Sequence, residues 1–152
     1  MPASRCADCD QGSVSERMKI VRNVIERIVA HAERDAPIEV CGFLVGEEGR
    51  ITRDYPMANA EGREDHFTFD PNEQLAAYQA MGQEGIEIMG VYHSHPATPA
   101  RPSVEDIRLA RNPALIYIIV SLLDQIKTVK GFYIKAGTVE EEPLIIEEEH
   151  PL

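Results

Sequence analysis

A segment near the middle of the chain, His93-Ser94-His95-Pro96, places two imidazoles two residues apart. The alternating pattern from Ile86 to His93 predicts a β-strand that ends here. Residues i and i+2 of a strand lie on one face, about 6.6 Å apart along the backbone. Two imidazoles placed in this way can bind one metal ion. A pair of surface histidines is the alternative interpretation.

Ser103 and Asp106 follow a proline-rich loop and complete the pattern H-x-H-x7-S-x2-D. Asp106 offers an oxygen ligand from the start of a short helix. Two histidines and one carboxylate leave a fourth position open, which is typical of catalytic rather than structural zinc. The stiff loop from Pro96 to Pro102 would hold this helix in register with the strand. Taken alone, Ser-x-x-Asp also fits a helix capping box.

A metal-dependent hydrolase also needs a general base, and Glu39 is the best candidate. It directly precedes the apolar run from Val40 to Gly46, which predicts a buried central strand. A solvated glutamate at the entry to that strand is the alternative. Sequence spacing alone does not bring Glu39 to His93.

These motifs together resemble those of the JAMM (MPN+) metallopeptidases, over most of the chain from about Met18 to Ile146. The family shows Glu-x-x-Gly at the start of a central strand, as in Glu39-Val40-Cys41-Gly42, followed by His-x-His-Pro, a seven-residue gap and Ser-x-x-Asp. The chain is most similar to the small prokaryotic branch that acts on ubiquitin-like sulfur-carrier proteins, including peptidases that release cysteine from a carrier's C-terminus. The segments that resemble this branch are Pro56-Met57-Ala58-Asn59, Glu73-Gln74-Leu75 and Tyr92-His93-Ser94-His95.

The resemblance implies one zinc ion on His93, His95 and Asp106, with Glu39 as general acid/base and Ser103 as oxyanion donor. It also implies a ubiquitin-like or sulfur-carrier partner with a Gly-Gly-type tail, and hydrolysis of an amide or isopeptide bond at that tail. Eukaryotic relatives that cleave ubiquitin chains carry insertions that grip ubiquitin. Only the eight residues 107–114 follow Asp106 before the next predicted strand, so the second insertion has no room here.

Two other functions are compatible with parts of the pattern. A metal-free MPN interaction scaffold usually lacks one or more ligands, and this chain retains them all. A zinc deaminase, whose fold is related in outline, requires His-x-Glu followed by Pro-Cys-x-x-Cys, which this sequence does not contain after the histidine motif.

Length and composition indicate one soluble domain. The 152 residues include 15 basic and 26 acidic residues, for a net charge of −11. This balance argues against nucleic-acid binding. No apolar run approaches the length of a membrane-spanning helix, and residues 1–14 lack the apolar region of a secretory signal. We therefore expect a cytoplasmic protein without a membrane partner.

The expected fold is α+β, a single domain with a mixed sheet flanked by helices. It resembles the MPN/JAMM fold, with a cytidine-deaminase-like outline. Hydrophobic periodicity and turn residues predict the elements in chain order. They are an edge strand over 18–20, a helix over 22–34, strands over 40–46, 50–55 and 66–69, a helix from its N-cap Asp70 to 82, a strand over 86–93, a short helix from Ser103, strands over 115–123 and 128–134, and an edge strand over 144–146.

The chain ends are predicted to lie outside this domain. Residues 1–17 form a flexible leader, 18–147 the peptidase domain, and 148–152 an acidic, polar tail. The leader contains Cys6-Ala7-Asp8-Cys9, but no second Cys-x-x-Cys exists to complete a zinc ribbon, so we expect the pair to be dispensable. His31, His66 and His150 have no partner at ligand spacing.

Overall fold

The computed structural model describes residues 17–64, 67–124 and 126–148. Three helices and eight strands occur in this part of the chain. The helices are α1 (Arg22–Asp35), α2 (Pro71–Glu84) and α3 (Val104–Leu109). The strands are β1 (Lys19–Val21), β2 (Cys41–Glu47), β3 (Arg50–Met57), β4 (Glu87–His95), β5 (Ile116–Ser121), β6 (Thr128–Lys135), β7 (Thr138–Glu142) and β8 (Ile145–Glu147).

All eight strands belong to one mixed sheet, in the order β7-β6-β5-β4-β2-β3-β1-β8. Strand β4 is central, antiparallel to β2 and parallel to β5. Strand β1 runs parallel to both of its neighbours, β3 and β8. The predicted α+β fold with a mixed sheet is confirmed. None of the three helices has the length and apolar character needed to cross a membrane.

Helices α1 and α2 contribute to two separate apolar clusters, because alternate side chains of a strand point to opposite faces. On β2, Leu44 packs in the cluster that contains Val24 and Ile28 of α1. Its neighbour Phe43 packs in the cluster that contains Met81 of α2. The central strands are therefore covered on both sides, and their polar residues need specific partners.

Gly42 of β2 is required by close packing against β4. A Cβ atom at this position would lie 2.4 Å from Tyr92 Cε1 and 2.6 Å from the carbonyl oxygen of Tyr55. The Tyr92 hydroxyl is hydrogen-bonded to His31 Nδ1 of α1 at 2.8 Å, and both side chains are buried. His31 is thus a core histidine, and the glycine of Glu-x-x-Gly makes room for the Tyr92 ring.

The prediction of a strand over 66–69 is wrong for the described residues 67–69, which lie in no strand. The Asn59 side chain accepts a hydrogen bond from the Thr68 backbone N–H, and the Thr68 carbonyl accepts one from Ala60 N–H. These backbone groups are used by a neighbouring loop, while Phe67 and Phe69 pack inward against His93 and Phe43.

Two further expectations for the sheet are corrected. Strand β1 is internal rather than an edge strand, because β8 pairs along its outer side. Strand β7, rich in glutamate and mostly exposed, was not expected at all; it pairs only with β6 and forms one edge. The predicted 144–146 edge strand is confirmed as β8, the other edge. The Cys6/Cys9 leader, His66, and the tail beyond residue 148 lie outside the described residues.

Candidate metal and catalytic site

The carboxyl end of β4 presents two buried histidines to one carboxylate. His93 and His95 are 2% and 5% exposed, so the interpretation as surface histidines is wrong. Their Nε2 atoms lie 3.2 and 3.1 Å from the same oxygen, Asp106 Oδ2. The i, i+2 spacing on a strand and the approach of α3 together produce this convergence.

Asp106 is held by the start of α3. Its backbone N–H donates to Ser103 Oγ at 3.0 Å, and Ser103 N–H donates to Asp106 Oδ2 at 2.9 Å, which is a complete capping box. The interpretation of Ser-x-x-Asp as a helix capping box is therefore correct. The same oxygen that closes the box also faces both histidines, so capping fixes the carboxylate at the site.

The proline-rich loop between β4 and α3 is anchored to the sheet. Ser121 Oγ at the end of β5 donates to the Thr98 carbonyl at 2.6 Å, and Leu122 N–H donates to the His95 carbonyl at 3.2 Å. His95 Nδ1 lies 2.8 Å from the Pro99 carbonyl oxygen, which accepts its proton. Because the Nδ1 proton is held by the Pro99 carbonyl, Nε2 is the nitrogen that can give up its proton and offer its lone pair to a metal ion.

Charge and burial oppose each other in this group. Burial alone would raise the pKa of Asp106, but hydrogen bonds with His93 and His95 lower it far below its ordinary range. Burial alone would lower the pKa of His95, but its bonds with Asp106 and the Pro99 carbonyl, together with the negative charge of Glu39, raise it. Asp106 is thus an anion, and its charge favours a cation between the three side chains.

The arrangement fits a divalent metal ion. One ligand atom from each of His93, His95 and Asp106 lies within 4.8 Å of the other two. Two imidazole nitrogens and one carboxylate oxygen form a donor set that zinc prefers, with a fourth position left for water or substrate. The outer nitrogen of His95 already has its carbonyl partner, which is typical of metal-bound histidines.

Glu39 lies close to this group although 55 residues separate it from His95 in the sequence. Strands β2 and β4 pair Cys41 with His93, and Ser94 N–H donates to the Val40 carbonyl at 3.1 Å, so the same register places Glu39 beside His95. Its side chain is 3% exposed. The alternative of a solvated strand-entry glutamate is therefore wrong.

Two recesses flank the histidines and Asp106. One is an open cleft of about 430 Å³ lined by Glu39, His95, Ser103 and the proline-rich loop. The other is a small pocket of about 60 Å³, mainly apolar, that reaches His93 and Asp106. One recess thus carries the polar side chains Glu39, His95 and Ser103, and the other is mainly apolar.

Sequence reasoning missed three residues that shape the site. Asn59 Nδ2 donates to the Glu39 carbonyl at 3.0 Å, and Ser94 Oγ accepts from Val40 N–H at 2.9 Å. Both bonds fix the backbone of the segment that carries Glu39 into β2. The Phe67 ring packs on the His93 ring, with centroids 4.8 Å apart. Ser94 and Asn59 both stand in segments that resemble the family, although sequence reasoning assigned them no role, whereas Phe67 carries no local signal.

Comparison with known proteins agrees with this geometry. The family described as prokaryotic homologues of the JAB domain matches residues 21–134. The "CysO-cysteine peptidase" of Mycobacterium tuberculosis is 39% identical over 131 residues, covering 84% of this chain and 90% of the relative. A "probable TtuB-protein conjugate cleaving protease" of Thermus thermophilus is 34% identical over 104 residues, covering 68% and 70% of the two chains.

Solved structures give the same result. A protein of Desulfitobacterium hafniense superposes with a TM-score of 0.80 at 43% identity, over 87% of this chain and 94% of that chain. A structure titled as a JAMM metalloprotease-like zinc site in the proteasome and signalosome superposes with a TM-score of 0.56 at 26% identity, over 87% and 99%. The chain therefore belongs to the prokaryotic JAB-domain family and is a peptidase of the JAMM type.

Proposed function

We propose that this protein hydrolyses the amide or isopeptide bond that follows the glycine-rich C-terminus of a ubiquitin-like or sulfur-carrier protein, with one zinc ion per chain. The observation that carries the proposal is the convergence of His93, His95 and Asp106 on one point. A buried Glu39 beside them, in a cleft shared with Ser103, supplies what hydrolysis needs besides a metal. The names of two relatives, a peptidase and a conjugate-cleaving protease, support this bond class.

His93, His95 and Asp106 would hold the zinc ion through Nε2, Nε2 and a carboxylate oxygen. Zinc bound there supplies Lewis acidity toward water and toward a substrate carbonyl. The protein keeps these ligands in place without the metal, because the capping box fixes Asp106 and the Pro99 carbonyl fixes His95. Such pre-organisation means that little rearrangement is needed when the ion binds.

Glu39 acts as the general acid/base. It takes a proton from the attacking water and delivers it to the leaving amine, a contribution of about 10²–10⁴-fold in rate. Its position is fixed from both sides of its own peptide: Glu39 N–H donates to the Arg63 carbonyl at 2.9 Å, and its carbonyl accepts from Asn59. Because its backbone is fixed, the Glu39 carboxylate stays close to both partners, and it can accept the proton from water and then donate it to the leaving amine.

Ser103 stabilises the oxyanion that forms when water adds to the carbonyl. Its Oγ accepts the Asp106 N–H through a lone pair, which leaves the hydroxyl proton as a donor toward the cleft. A positioned donor of this kind contributes about 10²–10³-fold to the rate. The bond that caps α3 therefore also orients the hydroxyl.

A thin, glycine-rich tail suits the cleft that leads to these groups. Glycine adds no side chain to the backbone, so its carbonyl can approach closely between Glu39 and Ser103. The partner is accordingly a carrier protein whose last residues before the scissile bond are glycines.

The experiment uses a ubiquitin-like carrier ending in Gly-Gly, extended by a short peptide. Zinc-loaded protein should release the extension after the second glycine, as identified by mass spectrometry. Chelation should abolish release and added zinc should restore it. A carrier ending in Ala-Ala serves as the matched control and should be cleaved poorly. Cleavage that persists in chelator, or no cleavage of any Gly-Gly fusion, would contradict the proposal.

A further inference from the structure

The small apolar pocket beside His93 and Asp106 has no part in the mechanism described above. Its volume is about 60 Å³, and its lining is mainly apolar, with Phe67, Pro102, Leu109, Tyr117, Ile119 and Ile134 among its residues and Glu105 as a further polar residue. Ile119 and Ile134 are buried, so the inner end of the pocket is closed by the sheet. Burial of an apolar side chain in a pocket of this kind is favourable, because it removes apolar surface from water.

The pocket is adjacent to the reacting centre rather than remote from it. It shares the His93 ring and the Asp106 side chain with the group that would hold the metal, whereas the polar cleft reaches the group through His95. Phe67 packs on His93 and also lines the pocket, so one wall is continuous with a ligand. A side chain in the pocket therefore belongs to a residue next to the scissile bond.

We propose that this pocket binds the side chain of the leaving residue, the one whose α-amine is released, and selects small apolar or thiol side chains. The assignment rests on the proposed function. On the carrier side the residues next to the scissile bond are glycines, which have no side chain to place in a pocket. The first side chain within reach is therefore that of the residue after the bond.

The volume sets the size of the accepted side chain. Roughly 10–15 Å³ of such space holds one water-sized group, so the pocket of about 60 Å³ accommodates about four to six non-hydrogen atoms. Cysteine, valine and leucine side chains fit this limit, and aromatic side chains exceed it. Acidic side chains are disfavoured because the carboxylates of Glu105 and Asp106 both belong to the lining.

An isopeptide-linked lysine presents a different shape at the same place. Its methylene stem must continue from the scissile nitrogen to its own backbone, and the pocket is closed at its inner end by Ile119 and Ile134. Such a substrate cannot use the pocket. Its cleavage rate is therefore an internal reference that changes in the pocket should not alter.

The test uses Gly-Gly carriers followed by glycine, cysteine, leucine or phenylalanine, with an isopeptide-linked lysine as reference. Leu109 is 47% exposed, so Leu109→Ala widens the pocket without emptying the core. Leu123, 49% exposed and outside the pocket lining, is the matched control. Ala110 also lines the pocket, and Ala110→Leu narrows it.

In the wild type, kcat/KM should be about tenfold or more higher for cysteine and leucine than for phenylalanine. Leu109→Ala should raise kcat/KM for the phenylalanine fusion toward the value for the leucine fusion. Ala110→Leu should lower kcat/KM for the leucine fusion but not for the glycine fusion. Leu123→Ala should change none of these ratios. The isopeptide rate should stay constant throughout.

Equal rates for all leaving residues, or ratios unmoved by Leu109→Ala, would overturn the assignment while leaving the proposed function intact. The assignment would also be overturned if the rate depended on the size of the carrier residue before Gly-Gly and not on the leaving residue, since the pocket would then bind the carrier tail. If zinc-loaded wild type cleaves no fusion at all, the proposed function fails and the assignment fails with it.

Discussion

Replacing Ser103 with alanine separates the two roles of its hydroxyl, the observed helix cap and the proposed oxyanion donor. Ser103 Oγ accepts the Asp106 N–H at 3.0 Å as the N-cap of α3, and its hydroxyl proton is the proposed donor to an oxyanion in the cleft. Alanine removes both contributions. It keeps the second half of the capping box, because Ser103 N–H still donates to Asp106 Oδ2.

The two losses differ in size and in the observable they affect. Loss of an N-cap side chain costs about 1 kcal/mol of folding free energy. In a domain of this size that lowers Tm by about 2–4 °C. Loss of an oxyanion donor raises the barrier by about 2.7–4 kcal/mol, or about 10²–10³-fold in kcat. A cap alone therefore cannot account for a large loss of rate in a protein that remains folded.

Asp70→Ala is the matched control for the cap. Asp70 caps α2 in the same way, with its side chain accepting Asn72 N–H at 3.1 Å, and it lines neither recess. Both variants should show similar shifts in Tm, and both should bind one zinc ion. Only Ser103→Ala should lose turnover. If the two variants cleave a carrier fusion at rates within about twofold of each other, Ser103 is only a cap and the oxyanion role is refuted.

Three further predictions concern a proposed zinc ligand, the N-terminal leader and a glycine of the sheet. His95→Ala should bind substoichiometric zinc by elemental analysis and lose cleavage, and one tightly bound equivalent would refute the ligand assignment. A chain without residues 1–16 should keep its fold and its zinc; Cys41, whose pKa burial raises to about 12, should then resist thiol reagents until unfolding. Gly42→Ala should cost at least about 1–3 kcal/mol by thermal denaturation, whereas Gly82→Ala, with open space around its Cβ position, should not destabilise.

The parts of the structure that the sequence predicted well depend on local signals. Asp70 with a following proline predicted the start of α2, and Ser-x-x-Asp predicted the start of α3. Strand alternation predicted that His93 and His95 face the same way, and both bind the same carboxylate oxygen. Each of these features involves neighbouring residues, whose spacing determines their geometry directly.

The parts that could not be predicted depend on contacts between distant segments. Strand β1 is internal only because β8, more than 120 residues later, pairs beside it. Strand β7 carries three glutamates and has no apolar face to reveal it. Asn59 and Phe67 are partners of Glu39 and His93, and their positions between β3 and α2 are likewise set by tertiary packing. The family resemblance, not spacing, was the reason to associate Glu39 with the histidines.

The most direct test of the account is cleavage of a Gly-Gly carrier fusion by Glu39→Gln, with zinc content and Tm measured on the same preparation. Glutamine keeps the shape of the side chain but cannot accept the proton of the attacking water. Because Glu39 lies beside the ligand group and is not part of it, one zinc ion per chain should remain. We predict a folded, zinc-loaded protein whose cleavage rate falls by about 10²–10⁴-fold. Cleavage at the wild-type rate by a zinc-loaded Glu39→Gln preparation would contradict the mechanism.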